Sequence, residues 1–421
     1  MAYIEGRRWV WLSLLGGWVV KRRGLTNMMK VLCAPMVGGR GIGPMTRCAA
    51  IAESALASGM KVAFCCQSTS VAMASAIVPN VFTITEPRRR NDVEMSDCIT
   101  WSDVAVALGL MDASFLDASI DEYLRAIDVF DPDVMFTECT VSACVAASMA
   151  GIPLVTSVSW PDCAEFADSG LREMRFAQAE RNAALNAYLA RNGNAQVSDV
   201  SDLLCNRASL CLIPSIPELQ PELVDASDKE FVGELLYQSL ITGPLPDVLE
   251  RETGRLIVYA YLSTSDDDLE MLTELLNAIA ANDRFLVVCS VSNAFQGKLV
   301  GSIDARVVVG SRWPALSLLR KCCLAIYPGT ANTMITALLA GVPSLLIPGN
   351  DTERKYNSRN LERLGAGLTC DIHAMEALGP LVAELVDNGQ YRLRAAGLGM
   401  RVMEFGGPKT ALRRMSDVVG V

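Results

Sequence analysis

The sequence predicts an α/β protein built from two parallel-sheet units in tandem. Three observations carry that expectation. From residue 29 onward, short apolar runs alternate with stretches of helical character; the same cycle restarts near residue 255; and the proline-rich stretch Thr242-Gly-Pro-Leu-Pro246 lies between the two series as a linker. A chain of 421 residues has room for two domains, or three, of ~150 residues each.

The elements follow in order. Residues 30–36 form the first strand and lead into the glycine cluster Gly38, Gly39, Gly41 and Gly43. A helix is expected over 45–58, ended by Gly59, and a strand over 61–66, which together open a doubly wound sheet. Strand signals at 133–137 and 153–157 flank a small-residue helix at 142–150. In the second series a strand is expected at 255–262 and a helix at 269–281, followed by strands at 285–291, 305–309, 324–327 and 344–347. Asp266, Asp267 and Asp268 stand just before the 269–281 helix, where carboxylates complement the helix dipole, so they read as capping residues rather than a metal site.

Residues 1–27 stand apart. Their apolar run, 9–20, is flanked by Arg7-Arg8 and Lys21-Arg22-Arg23, and it falls short of the ~20 residues a bilayer span requires. It reads as a dispensable extension, with no stable membrane insertion expected. The remaining division is 28–245, 246–404, and a C-terminal helix over 405–421 that could cross back to the first domain.

Composition excludes several function classes. With 51% hydrophobic and 20% charged residues the chain fills a core and is not disordered. A net charge of −10 argues against nucleic acid or anionic lipid as a partner. The single histidine, His373, rules out multi-histidine metal centres and a Ser-His-Asp triad, and it reads as a surface residue. Fourteen cysteines occur without any Cys-x-x-Cys, and the adjacent pairs Cys65-Cys66 and Cys322-Cys323 sit beside apolar runs. Buried free thiols of a cytoplasmic protein are expected, rather than a zinc site or a disulfide framework.

Three loops at strand ends are candidate ligand sites, because ligands of open parallel sheets bind beyond the carboxyl ends of strands. The first is Gly38-Gly-Arg-Gly-Ile-Gly-Pro44, whose spacing fits a dinucleotide fingerprint poorly and which also reads as a tight turn. The second, Tyr327-Pro-Gly-Thr-Ala-Asn-Thr333, places hydroxyls and backbone N–H groups at a helix start suited to a diphosphate, although Thr330 or Thr333 could serve only as a cap. The third, Pro348 through Asn357, reads as a polar loop in which Glu353 and Asn357 could hold sugar hydroxyls.

Residues 324–367, with Tyr327-Pro-Gly-Thr-Ala-Asn-Thr333 followed by Ala340-Gly-Val-Pro343, resemble the donor-site motif of GT-B nucleotide-sugar glycosyltransferases of the natural-product type, family 1 and its family 28 relatives. Gly41-Ile-Gly-Pro-Met-Thr-Arg47 resembles their Gly-x-Gly-His-x-x-Arg loop; Pro132-Asp133 to Glu138, Ile216-Pro-Glu-Leu219 with Thr242-Gly-Pro244, and Val258 to Thr264 extend the similarity over nearly the whole chain from residue 29. The resemblance implies two facing Rossmann-like domains: 28–245 for the acceptor and 246–404 for a nucleotide-diphosphate sugar, a co-substrate such as a UDP-sugar, with no cofactor. It places Arg312 and Trp313 beside the base, Ser263, Thr264 and Gly329, Thr330, Ala331, Asn332 and Thr333 at the diphosphate, and Glu353, Arg354 and Asn357 at the sugar. Gly41, Ile42, Gly43, Pro44 and Arg47 would form the acceptor-side loop.

The departures from the family pattern concern its chemistry. Pro328 replaces the diphosphate histidine, Thr330 a glycine and Thr336 the glutamate, while Pro44 replaces the histidine that serves as general base. Glu138 stands where the base-orienting aspartate would be and is the candidate base. The expected activity is inverting, metal-independent transfer to a small-molecule acceptor, a natural product or a more acidic group such as a phenol or nucleobase N–H. Two other readings share these features: a non-catalytic GT-B auxiliary protein, and a related nucleotide-sugar hydrolase or epimerase.

Overall fold

The computed structural model describes residues 28–39, 42–93, 98, 101–163, 166, 178–247, 249, 254–262, 267–291, 293–299, 301–349, 351–371 and 374–420. The N-terminal extension, Gly41, Ser263, Thr264, Asp266 and His373 lie outside them.

Two parallel sheets organise the chain. The first contains β1 (Lys30–Ala34), β2 (Lys61–Cys66), β3 (Val81–Thr83), β4 (Val134–Glu138), β5 (Leu154–Ser157), β6 (Leu210–Ile213) and β7 (Lys229–Phe231), in the order β3-β2-β1-β4-β5-β6-β7. The second contains β8 (Leu256–Ala260), β9 (Phe285–Ser290), β10 (Val307–Gly310), β11 (Cys322–Tyr327), β12 (Ser344–Leu346) and β13 (Gly367–Thr369), in the order β10-β9-β8-β11-β12-β13. Every paired strand runs parallel to its neighbour. The expected α/β class with two Rossmann-like units is therefore what the chain adopts.

Strand side chains alternate between two cores, as the period of two requires. In β1, Val31 and Cys33 face one core while Leu32 and Ala34 face the other. In β11, Leu324 and Ile326 face one side, and Ala325 and Tyr327 the opposite side. Each fully buried Val, Leu or Ile among them contributes about 1.5–3 kcal/mol. Apolar character on both faces follows from helices covering both sides of each sheet.

The chain crosses between domains more than once. Ile216, Leu219, Leu236, Ile241, Leu245 and Leu249 pack into a core of the second domain, so the approach to the Thr242–Pro246 stretch is already docked there. After the Gly389–Glu404 helix, the last helix, Gly407–Val419, packs on the Gly43–Ala57 helix and inserts Ala411, Leu412 and Met415 into a first-domain core. Gly406 and Gly407, both at positive φ, make the turn between them.

Four short strands, β3, β6, β7 and β13, fall outside the strands expected from the sequence. Each has three or four residues, too few to show alternation. One expected loop is corrected: residues 352–357, read as irregular, open the helix Thr352–Arg363, whose N-cap Asp351 accepts a hydrogen bond from the Arg354 N–H at 2.9 Å. Its low apolar content hid the helical period.

All fourteen cysteines are free thiols, twelve of them buried. Burial pushes the Cys66 thiol up to about 11.

Candidate active site

In each sheet the strand order reverses at one place, between β1 and β4 and between β8 and β11. Consecutive connections leave in opposite directions there and open a crevice at the carboxyl ends of the strands. Glu138, at the end of β4, and the Gly329–Thr333 corner, just after β11, lie at these two crevices.

On the first domain, the Gly43–Ala57 helix begins at the β1 crevice. Pro44 occupies its first turn, where proline fits because the missing N–H needs no partner. Ile42, its N-cap, is exposed and gives no side-chain cap. One turn on, the Arg47 Nε donates to Glu138 Oε2 at 2.7 Å, and its Nη1 donates to Asn332 Oδ1 at 2.9 Å in the other domain. Asn332 Nδ2 in turn donates to Thr46 Oγ1 at 3.1 Å and stands near the Gly43 carbonyl at 3.5 Å. Arg47 and Asn332 therefore fasten the two crevices together.

Glu138 ends β4 and is only 1% exposed. Burial raises its carboxyl above the ordinary value, and Arg47 and the Ser157 hydroxyl on β5 pull it back. Its Oε1 has no partner in good hydrogen-bond geometry. Burial also works against the Arg47 charge, but Glu138 outweighs it and holds the guanidinium above its ordinary range. As placed, the carboxylate expected to act as base is committed to an ion pair and closed off from solvent. The next residue, Cys139, sits at φ +47°, a conformation rare for a non-glycine residue.

On the second domain, Gly329 turns the chain after β11 at φ +92°, and a Cβ there would lie 2.7 Å from Ser358 Oγ and 2.9 Å from the Arg354 carbonyl. Only glycine permits this approach of loop to helix. Asn357, 1% exposed, donates its Nδ2 to the Gly329 carbonyl at 3.0 Å, so this amide braces the loop from behind instead of reaching toward a sugar. Thr330 is the N-cap of the Ala331–Leu339 helix without capping it through its side chain. Its Oγ1 instead meets Tyr261 OH at 2.6 Å and Thr333 Oγ1 at 3.2 Å, and Tyr261 OH lies 3.1 Å from Thr333 Oγ1. The N–H groups of Ala331, Asn332 and Thr333 are thus left to the loop, a site suited to an anion. Thr336 is buried and bonds back to the Asn332 carbonyl at 2.6 Å.

Trp313 donates its indole N–H to the Cys289 carbonyl at 3.1 Å and lays its ring over Gly310, whose Cβ would come within 2.4 Å of it. The half-buried ring is thereby fixed at the ends of β9 and β10, beside the exposed Arg312. Arg354 pairs with Asp351 at 3.7 Å. Glu353 sits at a solvent-accessible position in the first turn of its helix; the protein around it, then Asp351 and Asp162, raise its carboxyl toward about 7, a rise that access to water moderates.

The structure adds residues that the sequence reading did not single out. Tyr261, just past β8, completes the hydroxyl cluster. Asp162 lies in a short turn, Trp160–Asp162, packed near the Thr352–Arg363 helix. Its signal was present: Ser159-x-x-Asp162 directly after a strand is a capping box.

A family described as "Erythromycin biosynthesis protein CIII-like, C-terminal domain" matches residues 273–409. The PGL/p-HBAD biosynthesis rhamnosyltransferase of Mycobacterium bovis (strain BCG / Pasteur 1173P2) is 24% identical over 302 residues, 66% of this chain and 66% of its own length. The aclacinomycin-T 2-deoxy-L-fucose transferase of Streptomyces galilaeus is 32% identical over 110 residues, 26% of this chain and 24% of its own. The chain thus spans about two thirds of the length of the first of these relatives and a quarter of the second. Among solved structures, the glycotransferase of kitacinnamycin superposes with a TM-score of 0.73 at 18% identity, over 93% of this chain and 99% of that one. The spinosyn rhamnosyltransferase does so with 0.72 at 19%, over 92% and 100%.

The fold is GT-B. The expected resemblance to natural-product glycosyltransferases is borne out by the sequence matches, and the expected fold by these structures. Among the described residues, no helix is long and apolar enough to cross a membrane.

Proposed function

We propose that this chain transfers a deoxysugar from a nucleoside-diphosphate donor, thymidine-linked in the first instance, to a small-molecule acceptor, with inversion at the anomeric carbon and without a metal. The observation that carries the reading is the meeting of the two crevices through Arg47 and Asn332, which sets an anion-suited helix start against the acceptor-side loop. A solved structure of the spinosyn rhamnosyltransferase, named as complexed with thymidine diphosphate, and another with its aglycone support the same choice of ligand classes.

The chemistry follows from that arrangement. The acceptor attacks the anomeric carbon from the face opposite the diphosphate, and the sugar passes through a cationic, oxocarbenium-like state. Charge builds up on the leaving diphosphate. The helix N-terminus at residues 331–333 and the Tyr261, Thr330 and Thr333 hydroxyls offer dipoles there in place of a metal or the family histidine. Arg312 and Trp313 remain the assignment for the base, Glu353 and Arg354 for the sugar, with Ser263 and Thr264 at the diphosphate.

Thermal unfolding with thymidine, uridine and guanosine diphosphates tests the donor assignment. A ligand that binds only the folded chain adds about 2.7 kcal/mol at a hundredfold excess over its dissociation constant. We expect thymidine diphosphate to give the largest rise in Tm. Absence of a response to all three would sink the transferase reading.

A further inference from the structure

With Pro44 in place of a histidine and Glu138 closed off by Arg47, the acceptor proton needs another destination. Among the described residues, three carboxylates interact electrostatically with Arg47 around the crevice: Glu138, Asp162 and Glu353. Glu138 is excluded by its burial and its ion pair. Glu353 projects from the Thr352–Arg363 helix of the donor domain and is already assigned to the sugar under the proposed function. Asp162 belongs to the acceptor domain, immediately beyond β5 and next to the crevice strand β4.

Resting on the proposed transferase function, we infer that Asp162 is the general base that takes the acceptor proton, and that Glu138 is a positioning residue acting through Arg47. The Asp162 carboxylate is held for this task. Its Oδ2 accepts both from the Ser159 N–H at 2.8 Å and from the Ser159 hydroxyl at 2.7 Å, while Oδ1 takes no hydrogen bond from the described residues. The turn that carries it is braced as well: the Trp160 N–H donates to Gln220 Oε1 at 2.9 Å, and the Trp160 ring meets Phe166 edge-on at 6.1 Å. A half-buried carboxylate with one oxygen fastened and the other unengaged is oriented without being neutralised.

The step balances simply. As the acceptor oxygen forms its bond to the anomeric carbon, its proton passes to Asp162 Oδ1. The bond from that carbon to the diphosphate oxygen breaks, and its electron pair leaves with the nucleoside diphosphate. Asp162, then neutral, returns the proton to water. Burial raises the Asp162 carboxyl, while Ser159 and Arg47 lower it; among the described residues Glu138, Cys139, Cys205 and Glu353 also interact with it. A base works above its pKa, so the rate should fall on the acid side, and at higher pH than for an ordinary aspartate.

The test measures thymidine diphosphate release from TDP-rhamnose with two acceptors, benzyl alcohol, which needs a base, and 4-nitrophenol, which ionises unaided. Asp162→Asn should lower kcat with benzyl alcohol by about 10²–10⁴-fold, lower it far less with 4-nitrophenol, and leave thymidine diphosphate binding and Tm in place. Ser159→Ala, which keeps the carboxylate and the backbone N–H but removes the hydroxyl donor, should move the acid limb of kcat to higher pH. Equal loss on both acceptors, or an acceptor-dependent loss in Glu138→Gln in place of Asp162→Asn, would overturn the assignment. So would a wild-type chain that turns over 4-nitrophenol alone. A wild-type chain that neither binds thymidine diphosphate nor releases it from TDP-rhamnose would instead overturn the transferase reading on which the inference rests.

Discussion

The two crevices have the same topology and opposite chemistry. Where β1 and β4 diverge, the first domain gathers charge: Arg47 and Glu138 in a buried pair, with Asp162 beside them. Where β8 and β11 diverge, the second domain gathers dipoles: the Tyr261, Thr330 and Thr333 hydroxyls, a helix start and the Gly329 turn. The difference follows from the task proposed for each side. A diphosphate brings its own charge and is best met by fixed neutral donors, whereas a neutral acceptor needs a carboxylate to lose its proton to. Both histidines of the family pattern are absent, and the proposed function has each crevice make up the loss in its own way.

The first way to break the comparison is to remove the charge pair. Arg47→Met leaves Glu138 buried with no counter-ion, and losing one partner of such a pair costs about 3–5 kcal/mol. Because Glu138 can then take up a proton, the loss should be greater near pH 8 than near pH 5, where the neutral carboxyl is less penalised. Urea unfolding at the two pH values checks this. A pH-independent loss would mean that Arg47 acts through its contact with Asn332 and not through charge.

The neutral crevice should break through its backbone instead. Gly329→Ala places a Cβ against Ser358 and the Arg354 carbonyl at φ +92°, and such strain costs about 1–3 kcal/mol. Thymidine diphosphate affinity should drop along with stability, because the loop and the start of the Ala331–Leu339 helix move together. Unchanged affinity in a destabilised variant, measured by calorimetry, would detach this turn from the ligand site.

The same contrast explains what was legible beforehand. Glycine turns and hydroxyls at a helix start are local features, so the Gly329 to Thr333 corner could be read from the sequence as a loop leading into a helix. The tandem sheets were legible because central strands, buried on both faces, are continuous apolar runs such as β2 and β9. The charged crevice is a tertiary product. Nothing local says that Glu138 meets Arg47, 91 positions away, or that Arg47 reaches Asn332 across 285. Asn357 was read as polar and therefore ligand-facing, yet its amide is turned to the Gly329 carbonyl inside the protein. Polarity in a sequence does not reveal which partner satisfies it. Asp162 did carry a local mark, the Ser159-x-x-Asp162 box, and a reading that followed each strand end to its cap would have reached it.

The smallest expected effect concerns Glu353, a carboxylate on the rim of the neutral crevice. Glu353 is raised from 4.5 to about 7, by the surrounding protein first and then by Asp351 and Asp162. For an acid raised on folding, the folded chain keeps a proton that the unfolded chain gives up. The stability it lends is therefore full below pH 4.5, falls as pH rises, and is gone above about 7. Glu353→Gln should leave Tm unchanged near pH 4 and raise it slightly near pH 8, the gain being held small by solvent access. Affinity for thymidine diphosphate should be kept, while affinity for the intact sugar donor falls, since the side chain is assigned to the sugar alone. An equal Tm difference at both pH values would remove the electrostatic crowding, and with it the argument that Glu353 lies close enough to Asp162 for the two domains to share one cleft.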